Sequence, residues 1–311
     1  MPPTLRLLLA AIASLIAMLA GCGEGESECA AGGTCGPTAS TAGGFNADRA
    51  FRDLERQVAF GPRPAGSAAN ARQVAYLKRQ LQLAGASDVE VQGPWANVTA
   101  EIPGEGEGTV VIGAHHDTKD EPPILGANDG ASGVAVVLEL ARVLAAEEDR
   151  DGPTVRIALF DAEEAPGDAD FEAEGTRGSR QYVEQAEAAG ELEDVDEMWL
   201  FDMVGDCELT VPLEANSDPA IYARFERAAD ELPGFRSPFG DESDAVLDDH
   251  IPFIEAGIPS LDLIDFAYGG DSPPGDFWHT EDDTLDKVCP ESLAAVGEPA
   301  LAVLGGPGPG S

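Results

Sequence analysis

Glu163 and Glu164 stand side by side at the end of the run VRIALFDAEE, residues 155–164. Two neighbouring carboxylates can divide their work, one ligating a metal while the other moves protons. The Val/Ile/Leu/Phe stretch before them, bounded by Pro153, reads as a buried strand. In open α/β sheets, ligands bind off the C-terminal ends of such strands. Taken alone, the pair would pass for a solvated loop in so acidic a chain. Its company argues otherwise, because His115, Asp117, Asp129, Asp202 and His279 also fall at strand ends or in short loops.

Each of these has a chemical reading. His115 and Asp117 are two apart, so in an extended segment their side chains share a side. An aspartate so placed accepts the spare N–H of a metal-bound histidine or orients its loop. Asp129 lies in GANDGASG (126–133), where flanking glycines let the backbone bring a carboxylate close to a cation. By itself Asn128-Asp129-Gly130 is a plain turn. Asp202 sits in the apolar run LFDMVG, where a charge is costly unless paired or coordinated. His279 follows Trp278 after a Gly/Pro-rich loop and is one of four histidines.

Regular elements must position these residues. Helical spacing marks Ala47–Phe60 and Ala68–Ala84, the second capped by Ser67 and stopped by Gly85. Val89–Val91 and Ala96–Ile102 read as two edge strands joined through Gly93-Pro94. From Thr109–Ala114 onward, strands alternate with helices: helix Gly133–Ala146, strand Val155–Phe160, helix Gly178–Ala189, strand Met198–Val204, helix Pro219–Glu231, strand Ser260–Ile264 and helix Pro290–Leu304. The alternation predicts an α/β fold with a mixed, mostly parallel central sheet covered by helices on both faces. It predicts one catalytic domain over residues 45–304, with residues 305–311 as a disordered tail.

The chain has 311 residues, 43% of them hydrophobic, and a formal net charge of −40. Such a charge repels polyphosphates and argues against nucleic-acid binding. The acidity could draw cationic peptides, but a heavily hydrated surface suited to a salty medium is the preferred reading. Residues 1–21 have a signal-peptide layout, with Arg6 before the apolar Leu7–Leu19. The stretch ends in Leu19-Ala20-Gly21-Cys22, which resembles a bacterial lipoprotein signal. Cleavage before Cys22 and lipid attachment to its thiol would place the protein in the cell envelope, membrane-bound through that anchor only. Residues 22–44 read as a flexible tether in which Cys29 and Cys35 could close a disulfide. Cys207 and Cys289 are open to pairing or to burial as free thiols.

HHDT, GANDGASG, FDAEE, FDMVGD and FWHTEDDT together resemble, in order, the zinc aminopeptidases and glutaminyl cyclases, which share a zinc exopeptidase-like (phosphorylase/hydrolase-like) fold. Gly178-Ser179-Arg180, Asp248-Asp249-His250-Ile-Pro-Phe253 and Trp278-His279 look more like the cyclase branch. The resemblance implies that Asp129, Glu164 and His279 hold one zinc. It implies that His115 and Asp202, with Asp129 bridging, would hold a second where two are present. Glu163 matches the general base, Asp248 an acid in the cyclase hydrogen-bond network, and Trp278 a pocket wall. Asp262 stands where animal cyclases carry a histidine, and His116 where tyrosine is common.

The implied activity is conversion of an N-terminal glutamine of a peptide to pyroglutamate with release of ammonia. The alternative is an aminopeptidase in which Glu163 activates water against the first peptide bond, and a lesser one is a non-catalytic zinc-binding domain. The expected partners are peptides with free N-termini.

Overall fold

The computed structural model describes residues 44–120, 124–233 and 236–306. The signal segment, Cys22, Cys29, Cys35, nearly all of the tether and residues 307–311 lie outside the described residues. In chain order the elements are α1 (Ala47–Val58), α2 (Ala68–Ala84), β1 (Ser87–Val91), β2 (Val98–Ile102), β3 (Thr109–His115), α3 (Ala131–Ala145) and β4 (Thr154–Phe160). There follow α4 (Phe171–Glu174), α5 (Arg177–Ala189), β5 (Glu197–Asp202), β6 (Val211–Leu213), α6 (Pro219–Glu231), β7 (Phe239–Glu242), α7 (Ile251–Glu255), β8 (Ser260–Ile264) and α8 (Pro290–Val303).

Six strands form one sheet in the order β1-β2-β4-β3-β5-β8. β2 pairs antiparallel with both β1 and β4, while β4, β3, β5 and β8 pair in parallel. Only β2 therefore runs against the rest, and the sheet is mostly parallel as the alternation predicts. The expectation of two edge strands needs correction: β1 is an edge, but β2 is hydrogen-bonded on both sides. Its partner is β4, which the chain reaches only after β3 and α3, so no local pattern around residue 98 reports it.

Side-chain alternation assigns the two faces. Val110, Ile112, Ala114, Val155, Ile157, Leu159, Trp199 and Phe201 join α1, α2, α3, α6 and α8 in the larger core. Val111, Ala158, Phe160, Met198 and Leu200 pack on the other face with Tyr182 and Val183 of α5 and Phe253 of α7. Burial on both faces explains why these strands read as continuous apolar runs. α3 is apolar nearly all round because it lies between the sheet and other helices, and it approaches β5 so closely that a Cβ on Gly133 would strike the Phe201 carbonyl. Its one buried acid, Glu139, takes Nε and Nη2 of Arg49 at 2.7 and 2.6 Å and the Asn46 N–H at 3.0 Å.

The local signals for α2 hold at both ends. Ser67 accepts the Asn70 N–H, and Gly85 adopts φ 97°. β5 stops at Asp202 rather than Val204, because Met203 turns to φ 44°. The pair β6–β7 and the short helices α4 and α7 carry too few residues to show a period, and none was expected. Cys207 and Cys289 form a disulfide, which resolves the two readings left open for them.

On α8, partial burial pushes the Glu298 carboxyl up to about 7, against the pull of the Phe45 N–H. The folded state then holds this proton more tightly than the unfolded chain, whose carboxyl ionises near its ordinary value of about 4.3. Stability contributed at low pH is lost as pH rises through about 7. The Glu298→Gln variant should therefore melt above the parent at pH 8 and together with it near pH 4. Thermal unfolding across that range reads the difference, and an offset independent of pH would refute the assignment.

Candidate metal centre

Strand parity brings the first candidate ligands together. Gly113 pairs with Leu200, so two residues on His115 faces Asp202 on the neighbouring strand end. His115 Nε2 lies 3.2 Å from Asp202 Oδ1 and 3.1 Å from Asp129 Oδ1. On the other side of Asp129, His279 Nε2 lies 3.4 Å from Oδ2 and 3.1 Å from Glu164 Oε1. The result is two triads, His115/Asp129/Asp202 and Asp129/Glu164/His279, each with its ligand atoms within 4.8 Å of one another. Asp129 belongs to both and offers one oxygen to each. Every carboxylate-bearing ligand position named from the sequence thus converges on one place.

The backbone around Asp129 is held from several directions. Asp283 accepts the Asn128 N–H at 2.8 Å and the Asp129 N–H at 3.2 Å, and its Oδ1 also receives the Tyr268 hydroxyl at 2.9 Å. Fully buried Arg63 donates to the Leu125 carbonyl at 2.7 Å and the Gly126 carbonyl at 2.9 Å. Asn128 Oδ1 accepts the Gly205 N–H at 2.7 Å and so ties this loop to the exit of β5. Gly130 has φ +92°, and a Cβ there would press on the Asp117 carbonyl and the His115 ring. Only glycine fits that position.

The Glu163–Glu164 loop leaves β4 through Ala162 at φ 57°. Asp117 spans it, accepting the Glu163 N–H at 3.1 Å and the Glu164 N–H at 3.3 Å. His115 Nδ1 is 3.7 Å from Asp117, so of the two roles open to that residue the structure shows the loop-holding one. Arg177 donates to the Glu164 carbonyl at 2.9 Å while stacking over Trp95. His279 sits at φ 55° with its ring stacked on Trp278, centroids 3.8 Å apart. His116 turns away, with Nε2 3.2 Å from the Ala96 carbonyl.

Burial and like charge set the electrostatics. Desolvation raises the Glu163 carboxyl well above its ordinary value, with Glu164, Asp249 and Asp117 adding to the effect and His115 opposing it. Burial would lower His115, but Asp202, Asp117 and Asp129 outweigh it and raise that imidazole. Asp248 is buried beside Asp262, Asp202 and Glu163 and is raised well above the usual range. Asp262 is fully buried, 3.7 Å from His250 Nδ1, and neither of its oxygens has a hydrogen-bond partner among the described residues. His250 in turn reaches Glu214 at 3.4 Å.

Glu163, Asp248, Trp278 and the triad residues Asp129, Glu164, Asp202 and His279 line a cleft of about 320 Å³. Lys119 also lines it, 3.8 Å from Glu164, and was not singled out from the sequence. Nor were Asp283, Asn128 and Arg63. Asp283 had a signal, four residues beyond His279 in FWHTEDDT, whereas Arg63 had none beyond its place in a turn.

Residues 97–304 match the sequence profile of Peptidase family M28. The chain belongs to that family. Among solved structures, a glutaminyl cyclase from Porphyromonas gingivalis superposes with TM-score 0.76 at 32% identity, covering 84% of this chain and 98% of that one. A Zn-dependent exopeptidase from Parabacteroides distasonis superposes with TM-score 0.73 at 28% identity, covering 85% and 99%. A probable leucine aminopeptidase from Arthroderma otae is 28% identical over 223 residues, 69% of this chain and 58% of that protein. The chain spans 40–62% of the length of the first four curated relatives it matches, which include both aminopeptidases and glutaminyl-peptide cyclotransferases.

The shared position of Asp129 makes a sharp prediction for this M28 centre. Asp129→Ala should abolish metal retention, since it removes a donor from both triads. Glu164→Ala and His279→Ala should lose the metal of their own triad, and His115→Ala should lose one ion only if the purified protein carries two. Elemental analysis of purified variants reads the ratio of metal to protein. Full retention in Asp129→Ala would rule the assignment out.

Proposed function

We propose that the chain is a zinc-dependent glutaminyl-peptide cyclotransferase. The donor set fits zinc: two imidazoles and three carboxylates, all on N and O atoms, converge with open cleft on one side. Glu164 Oε2 and His115 Nδ1 are buried without hydrogen-bond partners among the described residues, and the cluster holds more negative than positive side chains. A cation is what such a cluster lacks. Asp129, Glu164 and His279 would hold the ion, and His115 and Asp202 with Asp129 would hold a second. When bound, zinc supplies Lewis-acid polarisation of a carbonyl.

The protein's own groups carry the proton. Glu163 sits on the loop fixed by Asp117, next to ligand Glu164 but outside both triads. With the substrate's N-terminus in the cleft, Glu163 removes a proton from the α-amine as the nitrogen attacks the side-chain amide carbon. It then returns that proton to the leaving nitrogen, which departs as ammonia. A raised Glu163 carboxyl suits this two-way role, because its affinity for the proton is closer to working pH. Burial beside other carboxylates pushes the Asp248 carboxyl well up, and in its protonated form it can donate a hydrogen bond to an oxygen or nitrogen in the cleft. Trp278 provides an apolar wall.

The observation that carries the reading is the near-complete structural match to a bacterial glutaminyl cyclase, 98% of whose chain is covered. The second triad is the observation that favours an aminopeptidase, in which Glu163 would instead deprotonate water. Glu163→Gln keeps the shape and removes the acceptor, so zinc should stay while turnover falls at least about a hundredfold. Mass spectrometry of Gln- and Leu-initiated peptides distinguishes the reactions. A product lighter by ammonia with an intact chain supports the cyclase; free leucine without pyroglutamyl product supports the aminopeptidase.

We further propose export and lipid attachment at Cys22, on the strength of Leu19-Ala20-Gly21-Cys22. Cys22→Ala should shift the protein out of the membrane fraction and change its mass. Unchanged fractionation and mass would refute the anchor.

A further inference from the structure

The cleft continues beyond the triads. A second cavity of about 470 Å³ adjoins it and is the larger of the two. Ala245, Val246, Ile264 and Phe266 line both, so a single wall serves the pair. That wall is fixed from within: buried Glu214 accepts the Val246 N–H at 2.8 Å, the Asn216 N–H at 2.9 Å and the Ser217 hydroxyl at 2.9 Å. At the junction Leu247 leaves 52% of its surface exposed, one of three large apolar side chains so exposed among the described residues.

The second cavity combines two kinds of surface. Pro212, Phe239, Pro273 and Pro274 give it apolar sides. Asp241, Glu242 and Asp244 stand exposed at its rim, and none of its lining residues is basic. Lys and Arg match this pairing, because an aliphatic stem packs on apolar walls while the charged head stays at a wet, acidic edge. A free Lys or Arg would have no reason to lie here, but a peptide whose N-terminus occupies the metal cleft would. Its chain advances roughly 3.3–3.6 Å per residue when extended, so the few residues after the first would pass the shared wall toward the cavity.

We propose that this cavity is the downstream part of the substrate site, and that it selects peptides carrying Lys or Arg two to four residues from the free N-terminus. The inference rests on the peptide-processing reading above and deepens it. It also gives part of the acidic surface a task other than hydration.

The test uses the zinc-loaded protein and Gln-Ala-Xaa-Xaa-Ala amides in which Xaa is Lys, Ala or Glu, with Gln-Ala amide as the short reference and a Leu-initiated set alongside. The Lys peptide should exceed the Glu peptide in kcat/KM by about tenfold at low salt, and the gap should shrink at high salt because exposed charges are screened. In the triple variant Asp241→Asn, Glu242→Gln, Asp244→Asn, the Lys-to-Glu ratio should fall to within about twofold of one. A ratio within one variant cancels any general loss of folded enzyme. Turnover with no dependence on charge or length would overturn the proposal. Fluorescence anisotropy of labelled Lys and Glu peptides, labelled at the C-terminal end, supplies a readout independent of chemistry. Tighter binding of the Lys peptide without turnover of any peptide would uphold the cavity and sink the cyclase and aminopeptidase readings instead. Equal binding of the two would overturn the cavity.

Discussion

Mutual repulsion among carboxylates at the sheet edge is the constraint on which the rest of this structure depends. Asp129, Glu163, Glu164 and Asp202 are all at least nine-tenths buried within one small volume, with the imidazoles of His115 and His279 and the ammonium of Lys119 beside them. Charges so placed would be expelled toward solvent unless the backbone left them no choice and a cation balanced them. The fold supplies the first condition. β3 and β5 end in register, a glycine at 130 lets the chain double back against His115, and α3 begins directly afterwards.

Support for the candidate ligands comes from groups that themselves are buried and polar. Asp283 and Arg63 grip the same loop through its N–H groups and its carbonyls respectively, and Asp117 does the same for the neighbouring glutamates. This division makes the site a set of loops clamped to one another rather than separate side chains on separate strands. Asn128 illustrates the economy: its side chain secures the exit of the strand bearing Asp202, while its own backbone is secured by Asp283.

Much of this could be read before any coordinates, and the reasons are physical. Ser67 and Gly85 mark the ends of α2 because capping is local chemistry, complete within a few residues. Asp202 announced itself because a charge in an apolar run needs a partner. Arg63 could not announce itself, since it works on carbonyls about sixty residues away. The internal position of β2 was hidden for the same reason, its partner being a strand more than fifty residues on. Asp262 was visible only as a departure from a related pattern; folded, it faces the imidazole of His250 across 3.7 Å, so a histidine adjoins that position after all, from a different element.

The Cys207–Cys289 bridge acquires a meaning from where its ends lie. Cys207 follows Asp202 off β5, and Cys289 closes the long excursion that presents Trp278 and His279 before α8 begins. Backbone bonds from Cys207 to Lys287 and from Cys289 to Gly205 run beside it. The covalent link therefore ties the base of the last-arriving histidine to the strand carrying an early ligand. A chain with both thiols still reduced would keep its sheet-borne ligands yet hold His279 only through noncovalent contacts. The bridge thus shortens, by a covalent shortcut, the path through the chain from the end of β5 to the loop that presents His279.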